Sequence, residues 1–283
     1  MIDVAVVGCG HMGRHHARIV AAHPECRLVA AVDLVDERAA EVAARWGAEA
    51  RRDVPDVDAI VIATPASTHA ALAGPLLARG CWVLVEKPLA ATAVDAFELA
   101  SPRLGVGHVE RFNPAIRAAG ELRPRYIEAR RLSPPSPRGR DVDVVLDLMV
   151  HDLDLVLSWT GGAVAWFDAV GVAVDGPLID TASVRLRTTC GVTASLVASR
   201  VAGAPERTLR VFEQGRATTL DLQAGVAFRD GPLAPAGGDA LTAQWAAFVG
   251  AILGEGALPV GFSDGRRVVA LAERISAAIA SGL

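Results

Sequence analysis

The chain has 283 residues, a formal net charge of −4 and a hydrophobic content of 52%. This length predicts one large or two ordinary domains, and the apolar content argues against disorder. The mild acidity offers no general attraction to nucleic acid or anionic membranes. The apolar runs are too short for a membrane helix, and the start lacks a signal-peptide pattern. Four isolated cysteines argue against metal and disulfide frameworks, so no metal site and a reducing cytoplasm are expected.

Strands and helices alternate in the first half of the chain. Apolar strands are predicted at 2–7, 27–32, 57–63, 82–85 and 104–106, with helices at 11–22, 36–46, 68–78 and 92–100. This alternation is typical of βαβ units around a parallel sheet, and the apolar strands fit a sheet covered on both faces. An α/β fold is therefore expected, with a doubly wound parallel sheet in an N-terminal domain.

The second half has a different pattern. The predicted order is a Pro-, Ser- and Arg-rich loop at 132–140, a helix at 141–159, strands over about 163–229, and helices at 239–253 and 263–281. Evenly spaced turns between the strand-like segments are typical of an antiparallel meander. We place the domain boundary near residue 120.

A glycine-rich turn follows the first strand and opens the first helix, which is the context of a dinucleotide-binding fingerprint. Gly8 permits the tight turn, Gly10 lets backbone amides approach a pyrophosphate, and Gly13 allows close helix packing. Asp33 ends the next strand, where its carboxylate accepts both ribose hydroxyls and repels a 2′-phosphate. NAD is therefore predicted rather than NADP, and a purely structural turn is the alternative. The cofactor-binding residues predicted here are Gly8, Gly10, His11, Met12, Gly13 and Asp33.

Two further segments follow predicted strands at the sheet edge where ligands bind in such folds. Thr64, Pro65 and His69 follow the third strand, and a simple helix cap is the alternative for this segment. Glu86 and Lys87 follow the fourth strand, with a surface ion pair as the alternative. Lys87 is the only lysine among 28 basic residues, so a chain that otherwise uses arginine keeps one ammonium whose pKa can be tuned.

Asp147 and His151 are four residues apart in a predicted helix and therefore share one face. Histidine can accept a proton at neutral pH, and a neighbouring carboxylate can orient the ring or hold a substrate hydroxyl. Because Asp152 and Asp154 are close in sequence, a simple acidic helix face is the alternative.

Together these motifs resemble the Gfo/Idh/MocA family of NAD(P)-dependent sugar and polyol oxidoreductases. The matching segments are Gly8-x-Gly10-x-x-Gly13, Asp33, Thr64-Pro65 to His69, Glu86-Lys87-Pro88 and Asp147-x-x-x-His151. The resemblance implies a Rossmann domain at 1–120. It also implies an α+β domain at 121–283 with a large, mostly antiparallel sheet. The open face of that sheet often forms subunit contacts, so a homodimer or homotetramer is expected.

The resemblance also implies roles for the candidate residues. Lys87 would lie near the nicotinamide and the reacting carbon, and with Glu86 it completes the expected cofactor-binding set. His151 would accept or donate the proton, and Asp147 would bind substrate hydroxyls or tune the histidine. Met149 stands where the family commonly has glycine, so the substrate does not follow from the family alone.

A sharper resemblance involves segments 107–115 and 145–152, which are similar to those of a subgroup acting on nucleotide-linked amino sugars. It implies oxidation of carbon 3 of UDP-N-acetylglucosamine, on the route to the diamino sugar of lipid A. The expected substrate-binding residues are Lys87, His108, Arg111, Asn113, Asp147 and His151. An ion pair of Arg111 with Glu110 or with another acidic neighbour is the alternative.

Six arginines around the Pro-rich loop could bind a diphosphate, with a solvated basic face as the alternative. They are Arg123, Arg125, Arg130, Arg131, Arg138 and Arg140. Two other functions stay open: a dehydrogenase of a free sugar or inositol, and a non-catalytic NAD-binding regulator.

Overall fold

The computed structural model describes residues 1–136 and 141–282. It divides into two compact units. The first comprises Met1–Gly107 and Leu241–Arg266, and the second comprises His108–Ala240 and the segment from Arg267 onward. Within the described ranges, no helix combines the length and apolar character needed to cross a membrane.

The first unit contains a six-stranded sheet. Its strands are β1 Ile2–Val7, β2 Cys26–Val32, β3 Glu49–Arg51, β4 Ala59–Ile62, β5 Trp82–Glu86 and β6 Leu104–Gly107. All neighbours are parallel, in the order β3-β2-β1-β4-β5-β6. This is the doubly wound order, which reverses between β1 and β4 and opens a ligand crevice at the carboxyl ends of the strands. The predicted parallel sheet is confirmed, and β3 is a short edge strand that the apolar pattern missed.

Helices connect these strands and cover the sheet. They are α1 His11–Ala22, α2 Asp36–Trp46, α3 His69–Ala78 and α4 Ala93–Glu98. Helix α7, Ala240–Ile252, comes from far along the chain yet packs into the core of the first unit. Its Trp245 and Phe248 are almost fully buried, and Phe248 meets Trp82 edge to face with ring centroids 6.3 Å apart. Burial of two large aromatic rings explains why this segment joins the N-terminal sheet.

The second unit contains a seven-stranded sheet. Its strands are β7 Tyr126–Leu132, β8 Val164–Val172, β9 Thr181–Thr188, β10 Thr193–Ser199, β11 Glu206–Glu213, β12 Arg216–Asp221 and β13 Val226–Phe228. The order is β13-β12-β11-β7-β10-β9-β8. Strands β7 and β10 are parallel, and all other neighbours are antiparallel. The predicted mostly antiparallel sheet is confirmed.

Strand β7 interrupts the predicted meander, because it lies between β10 and β11. The sequence pattern did not identify this strand. Its alternation places Ile127, Ala129 and Arg131 on the buried face, and the charge of Arg131 conceals the apolar period. The central strand of the second sheet is therefore the one that carries a buried arginine.

The predicted helix at 141–159 differs at its start. A π-helical turn spans Val145–Met149, and helix α6 follows at Val150–Thr160. The Asp143 carboxylate accepts hydrogen bonds from the amides of Val145 and Leu146, at 2.9 and 3.0 Å, so the turn begins there and not at residue 141.

Two further helices complete the list of α-helices. Helix α5, Pro114–Ala119, was not predicted, and Asn113 caps it by accepting a hydrogen bond from the amide of Ala115. Helix α8, Phe262–Ser281, closes the chain.

Candidate active site

The glycine-rich turn has the geometry that a bound pyrophosphate needs. Gly8 adopts φ +90°, and a Cβ there would lie 2.7 Å from the carbonyl oxygen of Ala63. A Cβ at Gly13 would overlap the carbonyl oxygen of Gly8, so α1 packs directly on the turn. Around Gly10, by contrast, a Cβ would meet no described heavy atom within 4 Å. The first and third glycines are thus required by packing, and the second leaves an opening beside the backbone.

The N-terminus of α1 is available to an anion. Gly10 is its N-cap, and among the described residues no side chain caps it and no acidic residue lies in its first turn. The first amide groups of a helix have no intrahelical acceptor and carry partial positive charge. The residues present therefore fit the diphosphate of a dinucleotide.

Asp33 is held beside this turn. Its carboxylate accepts hydrogen bonds from the amide of Cys9 at 2.7 Å and from the amide of Val35 at 2.9 Å. These two bonds orient the carboxylate at the end of β2, as a ribose ligand requires. The next side chain is Leu34, which is 85% exposed, so position 34 itself offers no cation to a 2′-phosphate.

Replacing Asp33 by Asn should weaken NADH binding roughly 10- to 100-fold, because the variant loses a charge-assisted hydrogen bond. NADPH should lose less, since the repulsion of its 2′-phosphate disappears. Fluorescence titration with both nucleotides measures the two dissociation constants. The matched control is Asp36→Asn, which removes an exposed carboxylate paired with Arg52 and should change neither constant. An unchanged ratio of the two constants in the Asp33 variant would contradict the assignment.

The imidazole of His69 connects the segment after β4 to the segment after β5 by hydrogen bonds. This histidine begins α3 and is 1% exposed. Its Nε2 lies 2.9 Å from the carbonyl oxygen of Thr64, and its Nδ1 lies 2.8 Å from that of Pro88. The Thr68 hydroxyl donates to the carbonyl of Pro65 at 2.7 Å and does not cap α3. The direct cofactor contacts assigned to this segment stay a prediction, and its shape is set by the buried imidazole.

Glu86 is buried at the end of β5 and is bound at both carboxylate oxygens. His16 Nε2, from α1, lies 2.7 Å from Oε1, and the amide of Lys87 donates to Oε2 at 3.2 Å. Burial raises the pKa of Glu86, but the hydrogen bond to His16 and the charges of His16 and Lys87 outweigh it and leave the pKa below its ordinary value. The carboxylate is therefore ionised directly beside the half-buried Lys87.

The sequence analysis missed His16. A signal for it exists, because His16 stands three residues after Gly13 and so shares the face of α1 that packs on the sheet. A buried histidine on that face needs a polar partner, and Glu86 provides one.

In the second unit, Asp147 lies in the π-helical turn and His151 in the first turn of α6. Both side chains are half-buried, whereas Met149 between them is fully buried. The Met149 side chain thus belongs to the core of its unit. The catalytic roles of Asp147 and His151 stay a prediction.

Asp152 and Asp154 do not form a solvated acidic face. Both are 1% exposed, and each binds an arginine. Arg131 reaches Asp152 with Nη2 at 2.9 Å, and Arg111 binds Asp154 through Nε and Nη2 at 2.7 and 2.6 Å. Burial raises the pKa of Asp152, and the attraction of Arg131 opposes that rise. Helix α6, which carries His151, is therefore anchored by one fully buried ion pair, Arg131 with Asp152, and one partly buried pair, Arg111 with Asp154.

The segment from His108 to Asn113 takes part in the same network. Glu110 accepts from Arg131 Nη1 at 2.8 Å and from Asn113 Nδ2 at 2.8 Å. Asn113 also donates to the carbonyl of Leu222 at 2.9 Å, and His108 is 1% exposed. The ion-pair alternative for Arg111 is thus present in the structure, and the substrate contacts of His108, Arg111 and Asn113 stay predictions.

The described arginines of the predicted diphosphate cluster bind protein groups. The pairs are Arg123 with Glu121, Arg125 with Gln214, Arg130 with Glu206, and Arg131 with Asp152 and Glu110. Arg130 and Arg131 are adjacent in β7 and so point to opposite faces of the sheet. Arg138 and Arg140 lie outside the described residues.

Comparison with known proteins agrees with this geometry. Residues 2–102 match the family model described as an oxidoreductase family with an NAD-binding Rossmann fold, and residues 115–218 match the GFO/IDH/MocA C-terminal domain. UDP-N-acetylglucosamine 3-dehydrogenase of Acidithiobacillus ferrooxidans is 38% identical over 97% of this chain and 96% of its own. A solved structure of that enzyme, GnnA, has a TM-score of 0.92 at 37% identity and covers 99% of this chain and 98% of its own.

A more distant relative is an inositol 2-dehydrogenase of Rhizobium meliloti, which is 30% identical over 70% of this chain and 69% of its own. The two family models and the relatives indicate an NAD-binding oxidoreductase. The geometry of the glycine-rich turn and of Asp33 agrees with this. The chain belongs to the Gfo/Idh/MocA family of oxidoreductases, with an NAD-binding Rossmann domain, and is an enzyme acting on CH–OH groups.

Proposed function

We propose that this protein oxidises the secondary alcohol at carbon 3 of UDP-N-acetylglucosamine to a ketone, with NAD as the hydride acceptor. The observation that carries this proposal is the 38% identity over nearly the full length of both chains to a UDP-N-acetylglucosamine 3-dehydrogenase. The product would be the 3-keto sugar that an aminotransferase converts on the way to a lipid A diamino sugar.

The proposal assigns three side chains to the reaction. When bound, the nicotinamide supplies the site that accepts the hydride. The imidazole of His151 takes the hydroxyl proton as the C–H bond breaks, and Asp147 orients that ring or a neighbouring hydroxyl. The Lys87 ammonium donates a hydrogen bond to the oxygen on which negative charge develops. The ionised Glu86 carboxylate beside it supports this cationic role.

We assign the binding of the cofactor and of the substrate to different parts of the chain. Residues 1–120 are proposed as the cofactor-binding domain and residues 121–283 as the substrate and oligomerisation domain. For the substrate we assign Lys87, His108, Arg111, Asn113, Asp147 and His151. A cytoplasmic homodimer or homotetramer completes the proposal, supported by Trp166 and Val170 on the open sheet face, which are 53% and 65% exposed.

A dehydrogenase of free inositol or a free sugar is the second candidate. The identity of 30% to an inositol 2-dehydrogenase favours it. The arginines of the predicted diphosphate cluster also favour it, because the described ones bind side chains of the protein itself. The first proposal is preferred because its relative matches more of both chains.

NADH formation with UDP-N-acetylglucosamine tests the proposal, with free N-acetylglucosamine and myo-inositol as parallel substrates. An amine or a partner aminotransferase should be present to trap the ketone, because the oxidation equilibrium can be unfavourable. Turnover only with the nucleotide sugar is the expected result. Turnover of myo-inositol without turnover of the nucleotide sugar would replace the first proposal by the second.

A further inference from the structure

We propose that His16 is a positioning residue for Lys87 and acts through the carboxylate of Glu86. This inference rests on the proposed role of Lys87 in the oxidation. Glu86 directly precedes Lys87, and its two carboxylate oxygens are bound by different elements. Oε1 lies 2.7 Å from Nε2 of His16 on α1, and Oε2 accepts from the amide of Lys87 at 3.2 Å.

The surroundings leave this carboxylate one orientation. His16 and Glu86 are both buried, at 1% and 8% exposure. Gly107 of β6 pairs with Glu86 across the sheet, and a Cβ there would lie 3.0 Å from both the Cα and Oε2 of Glu86. The carboxylate thus fills the space above a glycine, between α1 and β6. Without His16, one oxygen of a buried charge would lose its partner, and the group would have to move.

Stability alone gives a weak reason for this arrangement. Replacing a buried polar or ionic pair by well-packed apolar residues is often neutral or stabilising. The pair here connects two functional segments, because His16 stands three residues beyond Gly13 of the glycine-rich turn and Glu86 adjoins the only lysine of the chain. The Lys87 charge is also among the groups that hold the pKa of Glu86 down, so the two charges interact. His16 therefore links the orientation of the Lys87 ammonium to the helix proposed to bind the pyrophosphate.

Two variants of His16 separate positioning from packing. Gln extends an amide to about the reach of Nε2, whereas the shorter Asn does not. The expected kcat of His16→Asn is roughly 10- to 100-fold below wild type, as for loss of a hydrogen bond to a charged group. The KM for the sugar and the Kd for NADH should stay within a few-fold, because His16 is only 1% exposed and offers almost no surface to either ligand. His16→Gln should recover most of the kcat.

A second readout needs no substrate, because the chain has a single ε-amino group. The protein is treated with a succinimidyl ester, and acylation of Lys87 is followed by peptide mass spectrometry. The α-amine of Met1 in the same sample is the internal control. When its carboxylate neighbour is displaced, Lys87 should react several-fold faster in His16→Asn than in wild type or His16→Gln. Glu86→Gln should show the same increase, and it replaces His16→Asn if that variant does not fold.

The outcomes distinguish this inference from the proposed function. Wild-type protein that turns over no sugar would defeat the proposed function, while the labelling rates would still test His16. Equal labelling of Lys87 in His16→Asn, His16→Gln and wild type would overturn the inference. So would equal loss of kcat in both variants together with weakened NADH binding, since that pattern indicates a structural role.

Discussion

Replacing Lys87 by Met is expected to lower kcat roughly 10²- to 10⁴-fold while NADH binding stays within a few-fold of wild type. Met keeps the length and apolar stem of the side chain but removes the cation that would stabilise the developing oxyanion. NADH binding persists because the glycine-rich turn and Asp33 hold the dinucleotide. Steady-state rates and NADH fluorescence titration measure the two effects separately.

Lys87→Arg is the charge-matched control. Arginine keeps the positive charge but has a planar fork and cannot lose its proton, so it should restore only a small part of the rate. Arg51→Met is the matched control for loss of a cation elsewhere in the first unit, and it should leave kcat unchanged. Half or more of wild-type turnover in Lys87→Met would remove Lys87 from the mechanism.

His151→Ala should show the same separation of turnover from binding. Loss of the proton acceptor costs roughly 10²- to 10⁴-fold in rate, and the NADH dissociation constant should not change. A pH profile of the residual activity provides a further check, because the limb that reports an imidazole should disappear. A variant with full activity and an unaltered profile would show that another group takes the proton.

The largest effect on stability is expected from Arg131→Met. Arg131 is 3% exposed and binds Asp152 and Glu110, so its removal leaves two buried carboxylates without their cation. Breaking a buried ion pair on one side typically costs about 3–5 kcal/mol. The free energy of unfolding, from denaturant titration followed by circular dichroism, should fall by that amount. Activity should fall as well, since Asp152 adjoins His151 on α6.

The neighbouring residue of the same strand provides the matched control. Arg130 lies on the other face of β7, its side chain is 52% exposed, and it pairs with Glu206. Exposed ion pairs contribute about 0–1 kcal/mol, so Arg130→Met should be nearly neutral. Equal destabilisation by the two substitutions would show that the buried network contributes no more than a surface pair.

The Rossmann half was predictable because its signals are local. Apolar strands of β1, β4 and β5 alternate with helices at short spacing, Gly8 has the positive φ of a tight turn, and Gly13 is required by its contact with Gly8 in the same turn. The strand order then follows from the fold rules for parallel βαβ units. The placement of Lys87 at the end of β5 was predictable for the same reason.

The second half was harder to predict because its central elements depart from simple periodicity. Strand β7 carries Arg131 on its buried face, and this charge interrupts the apolar alternation that would identify a strand. The buried arginine is stable because it binds Asp152, a residue 21 positions further along the chain. The π-helical turn before α6 depends on the Asp143 carboxylate, which caps amides two and three residues ahead. In β7 a polar group occupies a position where the pattern expects an apolar one, and before α6 a side chain sets the local backbone hydrogen bonds.

The sequence by itself determined the doubly wound sheet, the dinucleotide turn, Asp33 and the family motifs, because local sterics and periodicity act over a few residues. Only the tertiary structure decided the pairing of His16 with Glu86, the anchoring of α6 by Arg131 and Arg111, and the return of α7 to the first sheet. These contacts join residues far apart in sequence, and they depend on strand register and helix rotation. A buried charge is stable only where folding places an opposite charge or a hydrogen-bond partner beside it, and this placement is a property of the folded chain.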